Sequence, residues 1–161
     1  MTEFLGSAAV IADLRGRTRR AVLAELCAPR AEDLDPAVAA EALLEREKLG
    51  STGFGNGLAV PHARIPGLTR ILASFGRSRE GVDFRALDGK PTHFFFALLM
   101  PELRSEQAVG GQTYANLLAR ISAMFERRGF RRAISAARDA RAIYRLIVRE
   151  DDLHRRRQRA R

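Results

Sequence analysis

Helix signals and strand signals alternate along this chain, and this alternation is the feature that most constrains its fold. Asp35 followed by Pro36 is a capping residue and a first-turn residue, so the pair predicts the start of a helix. Apolar runs of strand length lie between the helical segments. The pattern predicts an α/β domain with mixed strands between helices. The predicted helices cover 18–28, 35–49 and 113–128, with Gly129 directly after the end of the third and two shorter helices following it. The predicted strands cover 58–60, 71–76 and 94–99.

The length and composition are those of one soluble domain. At 161 residues the chain is long enough for a single buried core. Its longest apolar run is far shorter than the roughly 20 residues that span a bilayer, so we expect no membrane insertion. We expect a cytoplasmic protein, because the single cysteine, Cys27, forbids an internal disulfide and the first residues do not resemble a signal peptide. One cysteine and three scattered histidines lack zinc-ligand spacing, and we expect neither metal nor cofactor.

The formal net charge of +9 is concentrated at the end of the chain. Residues 155–161 contain five arginines and no acidic residue, which leaves +4 for all residues before them. A basic end of this kind is typically solvated and disordered. We therefore divide the chain into a domain at 1–153 and a basic, disordered tail at 154–161. We expect nucleic-acid binding only through that arginine tail, if it occurs.

The segment from Gly53 to Arg64 predicts a reactive site. Its glycines and Asn56 can adopt backbone conformations that are closed to most residues. Pro61 has a fixed φ and no N–H, so it delivers the next residue, His62, at a defined angle. Histidine is the side chain that can act as a neutral nucleophile near pH 7. On this segment alone, a second interpretation stays open, in which His62 is an ordinary structural residue.

Five short motifs, spread over most of the chain, carry a family resemblance. REKLGSTG at 46–53 leads into GLAVPHA at 57–63, and VDF at 82–84, DGKP at 88–91 and FALLMP at 96–101 follow in order. The set resembles the enzyme IIA domains of the phosphotransferase system (PTS), in the fructose–mannitol–nitrogen superfamily. The resemblance runs from about Leu14 to Leu153 and implies a small mixed sheet with helices packed on both faces.

In that family the histidine after the proline accepts a phosphoryl group from the phosphocarrier HPr or from its nitrogen-branch relative, NPr. The resemblance implies that His62 is this acceptor, with the phosphoryl group on Nε2 and with Nδ1–H held by a backbone carbonyl. It also implies that Arg46 stabilises the phosphoryl charge. For Arg46 an alternative stays open, a surface arginine paired with Glu45 or Glu47. The glycine-rich loop, and Phe54 in it, are expected to form part of the rim on which the donor docks; the rim residues are Gly53, Phe54, Gly55 and Gly57.

This chain departs from the family at one expected site residue. Enzyme IIA domains usually carry a second histidine at the start of a later helix, and Tyr114 occupies that position here. The loop before it, from Glu102 to Thr113, is also longer than usual. A tyrosine can donate a hydrogen bond but carries no positive charge. His93 is a candidate substitute, although we interpret it as a residue of a strand edge.

The expected function is that of a phosphoryl carrier, and most closely that of a stand-alone nitrogen-type regulator. Such a carrier works as a PTS component through a phosphohistidine and is not an autonomous enzyme. Two alternatives stay open: a sugar-transport enzyme IIA that passes phosphate to an enzyme IIB, and a degenerate IIA that binds proteins without phosphotransfer. The expected partners are therefore an HPr/NPr-type phosphocarrier and either an enzyme IIB or a regulated target protein.

Overall fold

The structure is a computed structural model that describes the backbone of residues 1–102 and 109–159, and their side chains except at 109–113 and 158–159. Within these residues the chain forms one domain of mixed strands and helices, which confirms the predicted α/β class. The strands are β1 (Leu5–Ile11), β2 (Gly53–Gly55), β3 (Leu58–Ala59), β4 (His62–Ile65), β5 (Leu72–Val82) and β6 (Thr92–Pro101). The helices are α1 (Arg19–Cys27), α2 (Pro36–Lys48), α3 (Val109–Glu126), α4 (Arg128–Ala136) and α5 (Ala140–Arg159), and a short 3₁₀ helix covers Ala28–Arg30.

The sheet is mixed and is built around β6. Its order is β1-β5-β6-β3-β2, in which β1 is parallel to β5 and β5 is antiparallel to β6. β3 and β4 follow one another along the other edge of β6, both parallel to it. Leu58 is paired with Phe94, and His62 is paired with Leu98. The break between β3 and β4 is the Val60-Pro61 dipeptide, and proline cannot donate to a ladder.

Alternate side chains of β6 supply two separate cores, one on each face of the sheet. Phe94, Phe96 and Leu98 pack with buried residues of α3, α4 and α5. Phe95, Ala97 and Leu99 pack with buried residues of α1 and α2. Because both faces are covered, the strand is apolar at consecutive positions, as a doubly buried strand requires. Helices on both faces are therefore confirmed.

The two helices that precede the glycine-rich segment begin where their capping residues predict. The Thr18 hydroxyl accepts a hydrogen bond from Ala21 N at 3.2 Å, and the Asp35 carboxylate accepts one from Ala37 N at 2.8 Å. Both residues are N-caps with extended backbone, and each satisfies an N–H that the helix leaves without a partner. α2 then ends at Lys48, close to the predicted end.

The later helices differ from the prediction. α3 begins at Val109, not near Thr113, so the predicted loop is shorter, and its residues 103–108 lie outside the described part of the chain. Gly129 lies inside α4 rather than after a helix end, because the break comes at Arg127, whose backbone is extended. α5 is 20 residues long, although a short helix was expected. In the described part of the chain, no helix is long and apolar enough to cross a membrane.

The end of the chain corrects the predicted disordered tail. Residues 154–159 continue α5 as a helix, and only 160–161 lie outside the described residues. Arginine and glutamine have high helix propensity, so the local sequence favours continuation of α5 through this segment. Arg155 also comes within 4.0 Å of Glu3, which lies just before β1.

Candidate functional site

His62 lies at the point where the chain re-joins the sheet after Pro61. It is the first residue of β4, and the Pro61 carbonyl accepts a hydrogen bond from Leu98 N at 2.8 Å. The Val60 and Pro61 side chains on its N-terminal side are buried. His62 itself is half-buried. The backbone on both sides of the ring is thus fixed to β6, and the imidazole is carried on a rigid element.

One backbone carbonyl fixes the tautomer of His62. The distance from His62 Nδ1 to Val60 O is 3.0 Å. A carbonyl oxygen only accepts, so Nδ1 must carry the proton in the neutral ring and Nε2 keeps its lone pair. Among the described residues, no group forms a hydrogen bond with Nε2. The arrangement therefore presents Nε2 as the nucleophilic atom.

The surroundings keep the ring neutral. Burial lowers the pKa of His62 below its ordinary value of 6.5, and the positive charge of Arg46 lowers it further. The Val60 carbonyl and the Glu47 carboxylate act in the opposite direction, but they do not cancel the lowering. At physiological pH His62 is an uncharged imidazole with a free nitrogen.

Tyr114 lies beside His62. The two ring centroids are 5.3 Å apart, with the planes inclined at 46°. Burial raises the pKa of Tyr114 above 10.0, and the charges of Arg46 and Arg64 oppose only part of this effect. The phenol is therefore protonated at neutral pH and can donate a hydrogen bond next to the histidine.

Arg46 and Arg64 place positive charge around the two rings. The partly exposed Arg46 side chain donates from Nη1 to Gly50 O at 3.1 Å. It pairs with neither Glu45 nor Glu47, so the alternative of a surface ion pair is wrong. Glu45 accepts instead from Lys48. Arg64, exposed on β4, acts electrostatically on Tyr114. Two arginines near a nucleophilic nitrogen suit an incoming group that bears negative charge.

Sequence reasoning missed the role of Glu47. This carboxylate is 2% exposed and accepts from Thr52 N at 2.9 Å and from Thr52 Oγ1 at 2.6 Å. The Thr52 carbonyl in turn accepts from Val60 N at 3.0 Å. A chain of hydrogen bonds therefore runs from the end of α2 through Thr52 to the residue that holds His62 Nδ1. The only signal in the sequence was an acidic residue one position before the end of an amphipathic helix, and such residues are usually exposed.

The predicted docking rim does not gather around His62. Gly53 and Gly55 are buried, and a Cβ on Gly53 would come within 2.7 Å of the Ala86 backbone. Gly57 lies beside His93 and Phe94, four residues before Leu98 along β6 and so roughly 13 Å from the His62 pairing. Phe54 is 45% exposed and is the one rim residue with an accessible large side chain.

Two other residues weighed from the sequence lie away from the site. His93 lies next to Phe94 on β6, away from the Leu98 position with which His62 is paired. The distance from His93 Nδ1 to Ser78 O is 3.0 Å. Cys27 is buried under α1, and burial raises the pKa of its thiol to about 12, which leaves it unreactive. No group of three potential metal ligands occurs within the described ranges.

The fold and this arrangement define a class of protein, a single α/β domain that fixes one neutral histidine at the start of a short strand paired with β6. Residues 3–150 match the sequence model of the family described as "Phosphoenolpyruvate-dependent sugar phosphotransferase system, EIIA 2". The chain belongs to this family, as the sequence motifs predicted.

Similar proteins of this family carry nitrogen-regulatory names. The chain is 34% identical over 150 residues to the nitrogen regulatory protein of Bradyrhizobium diazoefficiens. The aligned residues cover 92% of this chain and 94% of the relative. It is 37% identical over 141 residues to that of Pseudomonas aeruginosa, covering 86% and 88%. The crystal structure of nitrogen regulatory protein IIA-Ntr from Neisseria meningitidis superposes with a TM-score of 0.79 at 31% identity, covering 90% of this chain and 97% of the other.

Proposed function

We propose that the protein is a phosphoryl carrier that accepts a phosphoryl group on His62 Nε2 from an HPr/NPr-type phosphocarrier. The contact between His62 Nδ1 and Val60 O carries this proposal, because it leaves Nε2 unprotonated and ready to attack. In the transfer, the P–N bond of the donor phosphohistidine breaks as the bond from phosphorus to Nε2 forms. The donor imidazole takes the electron pair of the broken bond, and the proton on Nδ1 of His62 stays in place.

Arg46, Arg64 and the Tyr114 hydroxyl are proposed to receive the phosphoryl oxygens. Their charges and the phenolic donor surround the His62 ring, and preorganised donors of this kind lower the barrier to phosphoryl transfer. Phe54 and Leu87 are proposed as an outer part of the surface that the donor touches, away from the His62 ring itself. Leu87 is 86% exposed, and its N–H donates to Gly53 O at 3.3 Å.

The nitrogen-regulatory branch is the better supported one. Both relatives described above, at 34% and 37% identity over most of the chain, are nitrogen regulatory proteins. We therefore propose that the phosphorylation state of His62 controls binding to a regulated target protein in the cytoplasm. The sugar-transport alternative requires that phospho-His62 pass its phosphoryl group to an enzyme IIB.

The test is phosphotransfer to the purified protein from phosphoenolpyruvate, enzyme I and the phosphocarrier of the same organism, followed by intact mass. We expect the mass of one phosphoryl group to be added to the wild type and not to His62→Ala. His93→Ala is the matched control and should be phosphorylated like the wild type. No mass gain from a demonstrably charged donor would contradict the proposal and favour a degenerate IIA that acts by protein contact alone. Tyr114 is the observation that motivates this second candidate.

A second measurement separates the two branches. Phosphorylated protein is mixed with each enzyme IIB of the organism, and the loss of phosphate from His62 is followed. Rapid transfer to an enzyme IIB would favour sugar transport over regulation. A phosphoprotein that keeps its phosphoryl group in the presence of every enzyme IIB supports the regulatory branch.

A further inference from the structure

A basic cleft lies at the opposite end of β6 from His62. It has a volume of about 570 Å³ and runs between α4 and the segment that precedes β6. Its lining includes Gly57, His93 and Phe94, and excludes His62, Arg46 and Tyr114. Phe94 is paired with Leu58, and His62 with Leu98, so the cleft lies roughly 13 Å along the strand from the histidine. The cleft is therefore a second location, separate from the proposed phosphoryl-transfer site.

Five cations and one carboxylate line this cleft. The cations are Arg79, Lys90, Arg128, Arg131 and Arg132, and the carboxylate is Asp88. Asp88 cannot neutralise them, because it is one carboxylate against five cations and forms an ion pair with none of them; its oxygens accept from the backbone N–H groups of Asn56 and Lys90, both at 3.1 Å. The lining thus concentrates positive charge in a concave surface, where low-dielectric walls focus the field.

Among the described residues, three of the five cations have neither a counter-charge nor a hydrogen-bonded carbonyl. Arg79 is paired with Asp13 at 2.6 Å, and Arg131 donates to the Glu126 carbonyl at 2.8 Å. Lys90, Arg128 and Arg132 form no ion pair with any residue that the structure describes. Arg128 and Arg132 also lie in the first two turns of α4, whose first turn has no acidic residue and whose N-cap, Arg127, makes no side-chain capping bond. Cations near a helix N-terminus oppose the helix dipole, so α4 leaves this charge uncompensated.

We propose that this cleft binds a small diphosphate or polyphosphate, in a role beyond the phosphoryl transfer at His62. Phosphate oxygens match guanidinium and ammonium donors in charge and hydrogen-bonding geometry. Three free cations from two chain segments carry more positive charge than one phosphate group, at about −2, balances, which favours a ligand with two or more phosphate groups. The volume lies in the range of small-molecule sites, about 300–1,000 Å³, and the cleft is concave rather than an extended ridge. These features favour a compact phosphorylated ligand over a nucleic acid.

The test is calorimetric titration of the full chain with pyrophosphate, ADP and inorganic phosphate. We expect saturable binding of pyrophosphate and ADP, and much weaker binding of inorganic phosphate. The double variant Lys90→Gln/Arg132→Gln should bind at least about tenfold more weakly, because each charge-assisted hydrogen bond contributes that much or more. Arg145→Gln is the matched control, since Arg145 is an exposed arginine on α5, outside the cleft, and should keep wild-type affinity. All three side chains are exposed, so the variants should fold; an unchanged melting temperature checks this.

The location of binding is read from amide chemical shifts. We expect the amides of Gly57, His93 and Gly129 to move on addition of pyrophosphate, and His62→Gln to bind it as tightly as the wild type. Equal affinities for ADP and pyrophosphate would identify the phosphates as the recognised group, and tighter ADP binding would add the nucleoside. Failure of saturable binding, equal weakening in Arg145→Gln, or loss of binding in His62→Gln would each overturn the proposal. It would also be overturned if only a single-stranded oligonucleotide bound.

Discussion

At the scale of single residues, the main feature is the contact between the His62 and Tyr114 rings. Under the proposed function, this contact affects how well the site can hold a phosphoryl group. A tyrosine supplies one hydrogen-bond donor and no charge, and burial keeps that donor protonated. The two arginines nearby must then provide all of the positive charge. The predictions at this scale concern the hydroxyl of Tyr114 and the proton of His62.

We predict that Tyr114→Phe slows phosphorylation of His62 by about 10²-fold, the magnitude that the loss of one preorganised donor costs. Tyr114→His should restore a donor that can also carry charge, and the rate should equal or exceed that of the wild type. Single-turnover phosphorylation followed by intact mass measures both. Tyr144→Phe, a change of the same type on α5, is the control and should leave the rate unaltered. An unaffected rate in Tyr114→Phe would mean that the hydroxyl does not contact the phosphoryl group.

His62 should titrate below 6.5, because burial lowers its pKa. The ring is then more than half neutral at pH 6.5, so under the proposed function the phosphorylation rate should change little between pH 8 and 7 and should fall at a pH below 6.5. Protonation of His62 also affects stability. Because the pKa of His62 is lower in the folded state, the unfolded chain binds the proton more readily, and the free energy of unfolding decreases as the pH falls below 6.5. Heteronuclear NMR of the imidazole measures the midpoint. A midpoint at or above 6.5 would show that the ring is more solvated than the structure indicates.

At the scale of secondary-structure elements, hydrogen bonds from α2, through the segment after it, to Val60 fix the backbone that holds His62 Nδ1. Glu47 at the end of α2 holds Thr52, and Thr52 holds Val60. The histidine is thus positioned by an element that precedes it by more than ten residues. Its supports are backbone groups and one buried carboxylate.

We predict that Thr52→Val destabilises the protein by about 1.5–3 kcal/mol, because it removes a hydrogen bond to a buried charged group and leaves the Glu47 carboxylate without one partner. Thr52→Ser keeps the hydroxyl and is the matched variant, expected to stay within about 1 kcal/mol of the wild type, near the size of effects at well-tolerated substitutions. Urea unfolding measures both. A loss in Thr52→Val no larger than that in Thr52→Ser, which removes only the methyl group, would contradict a stabilising role for the hydroxyl.

The elements that the sequence predicted are those with local signals. Thr18 and Asp35 start their helices through their own side chains, and the apolar run at 94–99 is long enough to predict β6. β1 was not predicted, because its residues LGSAAVI show neither clean alternation nor a continuous apolar run, and its partner β5 lies more than sixty residues away. Gly129 was misjudged as a helix end because the chain breaks two residues earlier, at Arg127.

The site was predictable only where a family motif marks it. The Pro-His motif made His62 the candidate acceptor, a role that stays a proposal. The resemblance implied a backbone carbonyl on Nδ1, and in the structure Val60 O lies 3.0 Å from that atom. Glu47 was not predictable, because its burial depends on Thr52 folding back over the end of α2. The position of the rim glycines relative to His62 was not predictable either. The β2–β3 turn runs away from His62 along β6, and no local sequence pattern gives that direction.

At the scale of the whole molecule, a buried charge cluster ties the two ends of the domain together. The Asp151 carboxylate on α5 is buried and accepts from Arg120 of α3 at 2.7 and 2.9 Å and from the Met1 amino group at 2.6 Å. Burial raises the pKa of Asp151, but the hydrogen bonds and charges of Arg120 and the amino group outweigh it, and the pKa is lowered below 3.8. This carboxylate therefore stabilises the fold above pH 3.8, and the stabilisation is lost as the pH falls through the folded-state pKa.

We predict that Asp151→Asn lowers the free energy of unfolding by about 3–5 kcal/mol at pH 7, as expected when one partner of a buried ion pair is removed. Asp152→Asn, an exposed neighbour on the same helix, is the control and should change it by less than about 0.5 kcal/mol. Denaturant unfolding at pH 7 measures the difference, and a repeat near pH 3 should show it shrinking. Equal effects of the two substitutions would contradict a structural role for the cluster.

The hydrogen-bond acceptor of His62 Nδ1 belongs to the main chain, and this affects how the protein can diversify. Every residue type at position 60 keeps the backbone carbonyl that accepts from His62 Nδ1. As long as the backbone keeps its conformation, a substitution there therefore does not change the tautomer of the imidazole. Residues around the ring, such as Tyr114, remain free to vary. A library that randomises positions 60, 64 and 114 together should therefore yield variants with altered partner choice or transfer rate, all of which still attack through the same nitrogen.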